Sequence, residues 1–544
     1  LDTLNHTVNT MKNGLADDPW NKHYQLPEWL QGLIEAGALG QKTRVGVYKK
    51  EGREIKILDI KSKTYRAQNA EIEPEVLKIL KIRDSAQRFA QLRALKDSNQ
   101  AQFLWSMYRD LFHYAAYHLA DIADNARDVD FAIRWGFGWR QGPFEIWQDA
   151  GWQQVSKWIN EDMKDGATMI QKALPAWVAD IDAAHTAQGS YSPKTNSYQP
   201  RPQLAVFQRQ LYPELTIGEQ ADYGTTVYED EDIRLWHMND DVLIASFNTK
   251  KHIITEAVLS GIQKAVTTAE DGYSGLVLWQ KSEPFTLGAN LAPALEAVAK
   301  GQINEVEALV NKFQQTSQKL RFSKVPTIVA TRGLTLGGGC EFSMNATSVV
   351  AAFESWIGLV EAGVGLLPAG GGLKEIARRT SEDFATGDLY PQIEHFFKLV
   401  AMAQVAGSAL EAKNWKLIKP CTDIVFNTHE VLHVAKEKVK WLSAKGYRAP
   451  VEDQNIRVVG QAGIANMKMI LANMMAGRMM SAHDYEIAVR IATVIAGGDV
   501  DSNSLVNEQY LLDLERKLFI ELIQMPKTLA RIEHTLKTGK PLRN

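Results

Sequence analysis

Two glutamates stand in stretches whose other residues are apolar or glycine. Glu341 follows three glycines in TLGGGCEFSMN (335–345), and Glu361 lies 20 residues further on, in WIGLVEAGVGLLPAGGG (356–372). Glycines at a strand-to-helix corner let the backbone approach a ligand and present N–H groups that suit an anion or a developing oxyanion. A third segment, PFTLGANL (284–291), follows the apolar run GLVLWQ (275–280) and would deliver further N–H donors to the same edge of a sheet. Two carboxylates in an apolar pocket can act as acid and base, because burial and mutual repulsion raise a pKa toward neutrality and separate the two roles. Opposed N–H groups would stabilise an enolate oxygen. The reaction class is proton transfer next to a carbonyl. Glu341 alone has a plainer reading, as a first-turn acid favoured by ~0.3–1 kcal/mol through the helix macrodipole.

One helix and one strand between the glutamates return the chain to the same end of a sheet, where α/β ligand sites lie. From 233 onward such elements alternate: DVLIASF (241–247), a helix over 255–270, GLVLWQ, a helix over 292–322, VPTIVAT (325–331), a helix from about 338, then SVVAAF (348–353). This predicts a parallel α/β arrangement with buried strands. Residues 1–178 and those beyond 400 read as helical, with QFLWSMYRDLFHYAAYHLADIADNA (102–126) strongly amphipathic; its His113 and His118 read as packing or surface residues. The run AHTAQGSYSPKTNSYQPRPQ (184–203) has linker composition. The expected organisation is a helical region 1–178, a linker 179–232, an α/β core 233–400 and a helical part 401–544.

At 544 residues, 45% hydrophobic and 23% charged, the chain exceeds one ordinary core, and its net charge of −3 gives no global case for nucleic acid or an anionic membrane. A small-molecule partner is expected. Two cysteines, Cys340 and Cys421, make no disulfide framework and no zinc spacing, so no metal is expected and a cytoplasmic location fits. Cys340 reads as small and packed. No apolar run nears the ~20 residues of a membrane span. The chain opens LDTLNHTVNTM without an initiator Met, and the expectation is a piece of something longer with a domain ahead of Leu1. The Met-rich NMKMILANMMAGRMMSAHD (466–484) reads as packing, with an acyl tunnel as the alternative.

The three segments FTLGANL, TLGGGCEFSMN and IGLVEAGVGLLPAGGG resemble the signature segments of the crotonase (enoyl-CoA hydratase) superfamily, over roughly 233–375. The closing stretch LERKLFIELIQMPKTLARIEHTLKTGKPLRN (514–544) looks like that family's last helical segment. Residues 1–160 resemble the helical C-terminal domains of 3-hydroxyacyl-CoA dehydrogenases, through GALGQKTRVGVYKKEG (37–52) and DVDFAIRWGFGWRQGPFEIW (128–147). That region is duplicated in many members, which fits an echo between Gly151-Trp152 with its following helix and the chain's own start. The implied fold is an α/β crotonase (ClpP-like) domain, preceded by an all-α, duplicated dehydrogenase-type helical domain and followed by extra helices. The domain order resembles bacterial fused 3-hydroxyacyl-CoA dehydrogenase/enoyl-CoA hydratase proteins of fatty-acid β-oxidation.

The resemblance implies an oxyanion hole from the backbone N–H groups of Ala289 and Gly338, and a catalytic pair Glu341 and Glu361 around one water. Lys251 sits where relatives carry a basic residue near the CoA entrance, and Gly288, Asn290 and Gly365 are the other implied substrate-binding positions. Asn290 departs from the frequent Asp, and Ala369 stands where many hydratases have Gly. Residues 376–400 and 440–510 look like family-specific additions. The activity implied is hydration of a trans-2-enoyl-CoA, with crotonase-type isomerisation or a non-catalytic acyl-CoA-binding or assembly module as alternatives. No cofactor is implied in this chain. NAD binding needs a strand–GxGxxG–helix unit, which the sequence lacks, so NAD belongs to the domain expected ahead of Leu1. Homo-oligomerisation or association with a thiolase is the expected partnership.

Overall fold

The computed structural model describes residues 1–52, 54–68, 71–221 and 223–544. The chain forms two compact units, Leu1–Pro202 with Glu214–Ala221, and Gln203–Pro213 with Asp222–Asn544.

The first unit is mainly helical, and its longest helix, Asn99–Ile122, buries Trp105, Phe112 and Leu119 on one face. Two small antiparallel sheets, over Tyr48–Ala67 and His185–Gln199, were not anticipated; their strands are short and the first is largely exposed and charged, so neither carries a clear apolar alternation. The stretch expected to be a linker is in its first part built into this unit. An aromatic ladder runs Phe112, Trp147, Trp152, Trp177, Tyr191, with successive ring centroids 5.6, 4.3, 6.1 and 5.4 Å apart. Such stacking adds ~0.5–1.5 kcal/mol per pair beyond burial, and it pins residues 177–199 to the helices.

Beside the ladder, His185 contacts Asp130 at 2.6 Å through Nε2 and Ser190 Oγ at 2.8 Å through Nδ1. This has the connectivity of a Ser–His–Asp triad, yet all three residues are fully enclosed, so the arrangement serves packing. Asp130 also accepts the N–H groups of Phe144 and Glu145, which start the helix Pro143–Asp149.

The second unit is built on a seven-stranded sheet: β1 (Thr225–Glu229), β2 (Ile233–His237), β3 (Val242–Phe247), β4 (Gly275–Trp279), β5 (Thr327–Leu336), β6 (Ser348–Gly358) and β7 (Asp423–Val425). Strand order across the sheet equals chain order, with β1 to β3 antiparallel and β3 to β7 parallel, so the chain winds as one spiral. The second part of the expected linker thus supplies β1. The crossovers carry α1 (Glu256–Gly272), α2 (Ala292–Ala299), α3 (Ile303–Arg321) and α4 (Gly338–Asn345); α5 (Gly372–Asp383), α6 (Tyr390–Ala401) and α7 (Val431–Ala444) follow. β3 and β4 are apolar without alternation because both faces are covered. Leu243 and Ala245 pack toward α1, while Val242 and Ile244 pack toward α7.

β5 shifts register between Thr331 and Gly333, where Gly333 has φ +63°, and continues as Gly333–Leu336 paired with Ser355–Gly358. Single bridges from Ile254 to Ala289, Thr286 to Thr335 and Ile357 to Ala406 extend this second row beyond the main sheet. The bulge re-aims the strand end, and the candidate site hangs from the displaced row. Further on, α8 (Gly460–Ala476), α9 (Ala482–Ile495), α10 (Glu508–Ile523) and α11 (Pro526–Thr538) complete the unit. In the Met-rich stretch Met467, Leu471 and His483 are buried, while Met469, Met475 and Met479 are exposed.

Replacing Asp130 with Ala strands three buried donors and is expected to destabilise the first unit by about 3–5 kcal/mol; tryptophan-detected urea unfolding measures it, and an unchanged midpoint would refute the bonding role.

Candidate active site

Three glycines in succession become intelligible once the second row is in place. Gly337 has φ +54°, a left-handed turn that carries the chain from β5 into α4, and a Cβ there would lie 3.1 Å from Glu361 Oε1. A Cβ at Gly338 would come within 2.5 Å of Phe313, and one at Gly339 within 2.2 Å of Thr286. The backbone therefore lies flush against its neighbours, and side chains are excluded by space as well as by conformation.

Segment 284–291 is fixed by the Ile254 bridge: the Ile254 N–H donates to Gly288 O and the Asn290 N–H donates to Ile254 O, each at 2.9 Å. In a parallel bridge the residue between those two bonds points its own N–H to the opposite side. The Ala289 N–H is that group. Among the described residues it has no intramolecular acceptor, and neither has the N–H of Gly338, the first residue of α4. The two segments are adjacent, since a Cβ at Gly288 would sit 3.7 Å from Gly338 N. Two unpaired donors on adjacent segments, one at a helix start, can receive an oxyanion.

Glu341 is 3% exposed, and its Oε1 accepts the N–H groups of Gly370 at 2.7 Å and Gly372 at 2.9 Å. Those N–H groups open α5, so the carboxyl sits at the positive end of that helix. Close approach demands glycine: a Cβ at Gly370 would be 2.5 Å from Glu341 Oε2. Burial nevertheless dominates and pushes Glu341 up to about 7, against the opposing pull of Gly372, Gly370 and Lys374. Glu361 begins a single 3-10 turn, and its Oε2 is buried without a hydrogen-bond partner. Burial, then the charge of Glu341, raise its pKa well above the carboxylate range. The two expected carboxyls thus share one enclosed space, with Glu361 the more firmly protonated.

A third carboxyl went unread in the sequence. Glu515 of α10 accepts the N–H of Gly371 at 3.0 Å and of Lys374 at 2.6 Å, and burial with the charge of Glu341 raises it to about 8. Its signal was available, because Leu511, Leu512, Glu515, Leu518 and Phe519 form the buried stripe of α10, and an acid in such a stripe needs a partner. Lys374, also missed, is fully buried and bonds Asn345, Glu375 and Glu508 at 3.1, 2.8 and 3.1 Å.

The remaining expected positions fall as follows. Lys251 is exposed, on the turn three residues before Ile254. Asn290 Oδ1 accepts the Ala292 N–H at 3.2 Å and so sets the start of α2. The Gly365 carbonyl accepts from Thr528 Oγ1 at 3.0 Å, and a Cβ there would meet Thr528 of α11 at 3.1 Å. Cys340 is fully buried, with its thiol pushed up by burial, as expected of a packed residue. Among the described residues no cluster of acidic, histidine and cysteine side chains has metal-holding geometry, and no helix is long and apolar enough to cross a membrane.

Residues 243–390 match the family model described as enoyl-CoA hydratase/isomerase. The second unit is accordingly a crotonase-fold domain carrying extra helices. Over its whole length the chain is 31% identical to a probable 3-hydroxyacyl-CoA dehydrogenase of Bacillus subtilis, an alignment of 550 residues covering 100% of this chain and 67% of the relative. The chain belongs to the family of that protein. A putative fatty acid oxidation complex trifunctional enzyme of Rickettsia felis is 24% identical over 529 residues, covering 96% of this chain and 64% of the relative. The mitochondrial methylglutaconyl-CoA hydratase of Mus musculus is 28% identical over 164 residues, 29% of this chain and 51% of that one. The chain spans about two thirds of the length of the first two relatives.

Because the folded state raises Glu341 from 4.5 to about 7, it holds a proton there that the unfolded chain has released. That stability is complete below pH 4.5 and is lost as pH rises through 7. Glu341→Gln keeps the Oε1 acceptor and is expected to be more stable than the parent by roughly 2–4 kcal/mol at pH 8, and indistinguishable at pH 4; urea midpoints at both pH values test it.

Proposed function

We propose that this chain hydrates a trans-2-enoyl-CoA to a 3-hydroxyacyl-CoA. The observation that carries the reading is the asymmetry of the two carboxyls beside two unpaired N–H donors. The thioester oxygen is received by Ala289 and Gly338, which stabilise the enolate that forms as the double bond is attacked. Glu341, near 7, is ionised often enough at neutral pH to take a proton from water as its oxygen bonds to Cβ. Glu361, held protonated, gives its proton to Cα. One proton enters the pair and one leaves, so only water and the thioester are consumed.

Isomerisation of a double bond needs a single carboxyl, and retention of Glu341 on the α5 N–H groups favours hydration over it. The hydratase named among the relatives points the same way. The relatives named for fatty acid oxidation and for 3-hydroxyacyl-CoA dehydrogenase support a role in acyl-CoA breakdown, where the product is the class of molecule a dehydrogenase would oxidise next. Dehydrogenase chemistry itself would need a dinucleotide-binding unit, for which this sequence holds no fingerprint.

Adding the chain to crotonyl-CoA is expected to abolish the ultraviolet absorbance of the conjugated thioester. Glu341→Gln and Glu361→Gln are each expected to lower kcat by roughly 10²–10⁴, and the parent's kcat is expected to fall below about pH 7 as Glu341 protonates. Absence of turnover at any pH, or full activity in either variant, refutes the reading. Conversion of a 3-enoyl-CoA without hydration would replace it with the isomerase.

A further inference from the structure

The catalytic pair lies at one end of α5; the other end opens on a different space. A cavity of ≈ 680 Å³ is bounded by the C-terminal half of α5, the residues before β7 and the chain after α7. It lies at the opposite edge of the sheet from Glu341, since it reaches Thr347 and Cys421, which precede β6 and β7.

Its charged lining is uneven. Arg321 pairs with Glu375, Asp453 and Glu508, Arg378 with Glu375, Glu382 and Asp453, Arg379 with Glu375, and Lys416 with Asp383. Lys419 is the exception: among the described residues no carboxylate lies within ion-pair distance of it. Its Nζ instead donates to the carbonyls of Ala346 and Thr347. An ammonium has three donors, so one is left without an acceptor. Burial depresses Lys419 to about 7, and Arg379, Arg321 and Arg378 add to the effect against the opposing charge of Glu375. The other walls include Phe396, Ile418, Pro450 and Val451.

We propose that this cavity is a second ligand site, taking an organic monoanion with its carboxylate on Lys419 and its hydrocarbon body against Pro420, Pro450 and Val451. One unpaired cation matches one negative charge, and the apolar walls favour a carbon chain over a fully hydrated ion such as phosphate. Binding keeps Lys419 protonated and is therefore linked to proton uptake near neutral pH.

Calorimetric titration of the full chain with sodium octanoate, and separately with inorganic phosphate, tests the site. Octanoate is expected to bind with one-to-one stoichiometry, about tenfold tighter at pH 6 than at pH 8 because Lys419 titrates between them. Lys419→Met is expected to weaken binding at least tenfold. Val451→Glu, at a position 83% exposed and so without consequence for folding, is expected to weaken it through charge repulsion. Glu341→Gln is expected to leave binding unchanged, which separates this cavity from the catalytic groove. No heat with octanoate at either pH, undiminished binding in both Lys419→Met and Val451→Glu, loss of binding in Glu341→Gln, or phosphate binding in place of octanoate would each overturn the proposal.

Discussion

The first turn of α5 is the point on which the second unit depends. A helix opens with N–H groups that its own backbone cannot satisfy, and here three of them, at Gly371, Gly372 and Lys374, together with that of Gly370 just ahead, are taken by two carboxyls from α4 and α10. Neither carboxyl would be tolerated at that depth without the donors, and the donors would be orphaned without the carboxyls. At Gly370 and Gly372 the Glu341 carboxyl comes too close for a Cβ, and Gly371 between them takes φ +98°. One requirement thus fixes a helix start, a glycine run and the position of Glu341 together.

Satisfying the helix does not make the carboxyls comfortable. Three acidic groups, Glu341, Glu361 and Glu515, share one enclosed region, and all three are raised. A fold optimised for stability would replace at least one by an apolar side chain of similar volume. On the proposed function, their retention is the cost of holding groups that exchange protons near neutrality. Lys374 offsets part of the repulsion by pulling Glu341 and Glu515 down, and is itself held by Glu375 and Glu508.

Much of this was legible in the residues. Glycine corners after apolar runs located both glutamates and both donor segments, because those features are local and leave a local trace. Glu515 was overlooked because it meets Gly371 across 144 positions of chain, and nothing near GGGLKE announces it. Residues 184–203 read as linker because Ser, Pro and Asn hide the wide spacing of Tyr191 and Tyr198, which pack on each other and, through Tyr191, on Trp177. The small strands of 48–67 escaped because an exposed charged hairpin has no apolar face to display. Local chemistry was readable; long-range satisfaction of buried groups was not.

The spiral winding of the sheet has a bearing on the order of assembly. With each strand pairing its sequence neighbour, every addition to the layered core closes only the one crossover between the two strands. Glu515 joins from the far end. Until α10 arrives, the N–H groups of Gly371 and Lys374 have only water, so the sheet is able to form well before the pocket is sealed, and the chemistry becomes available with one of the last segments to dock.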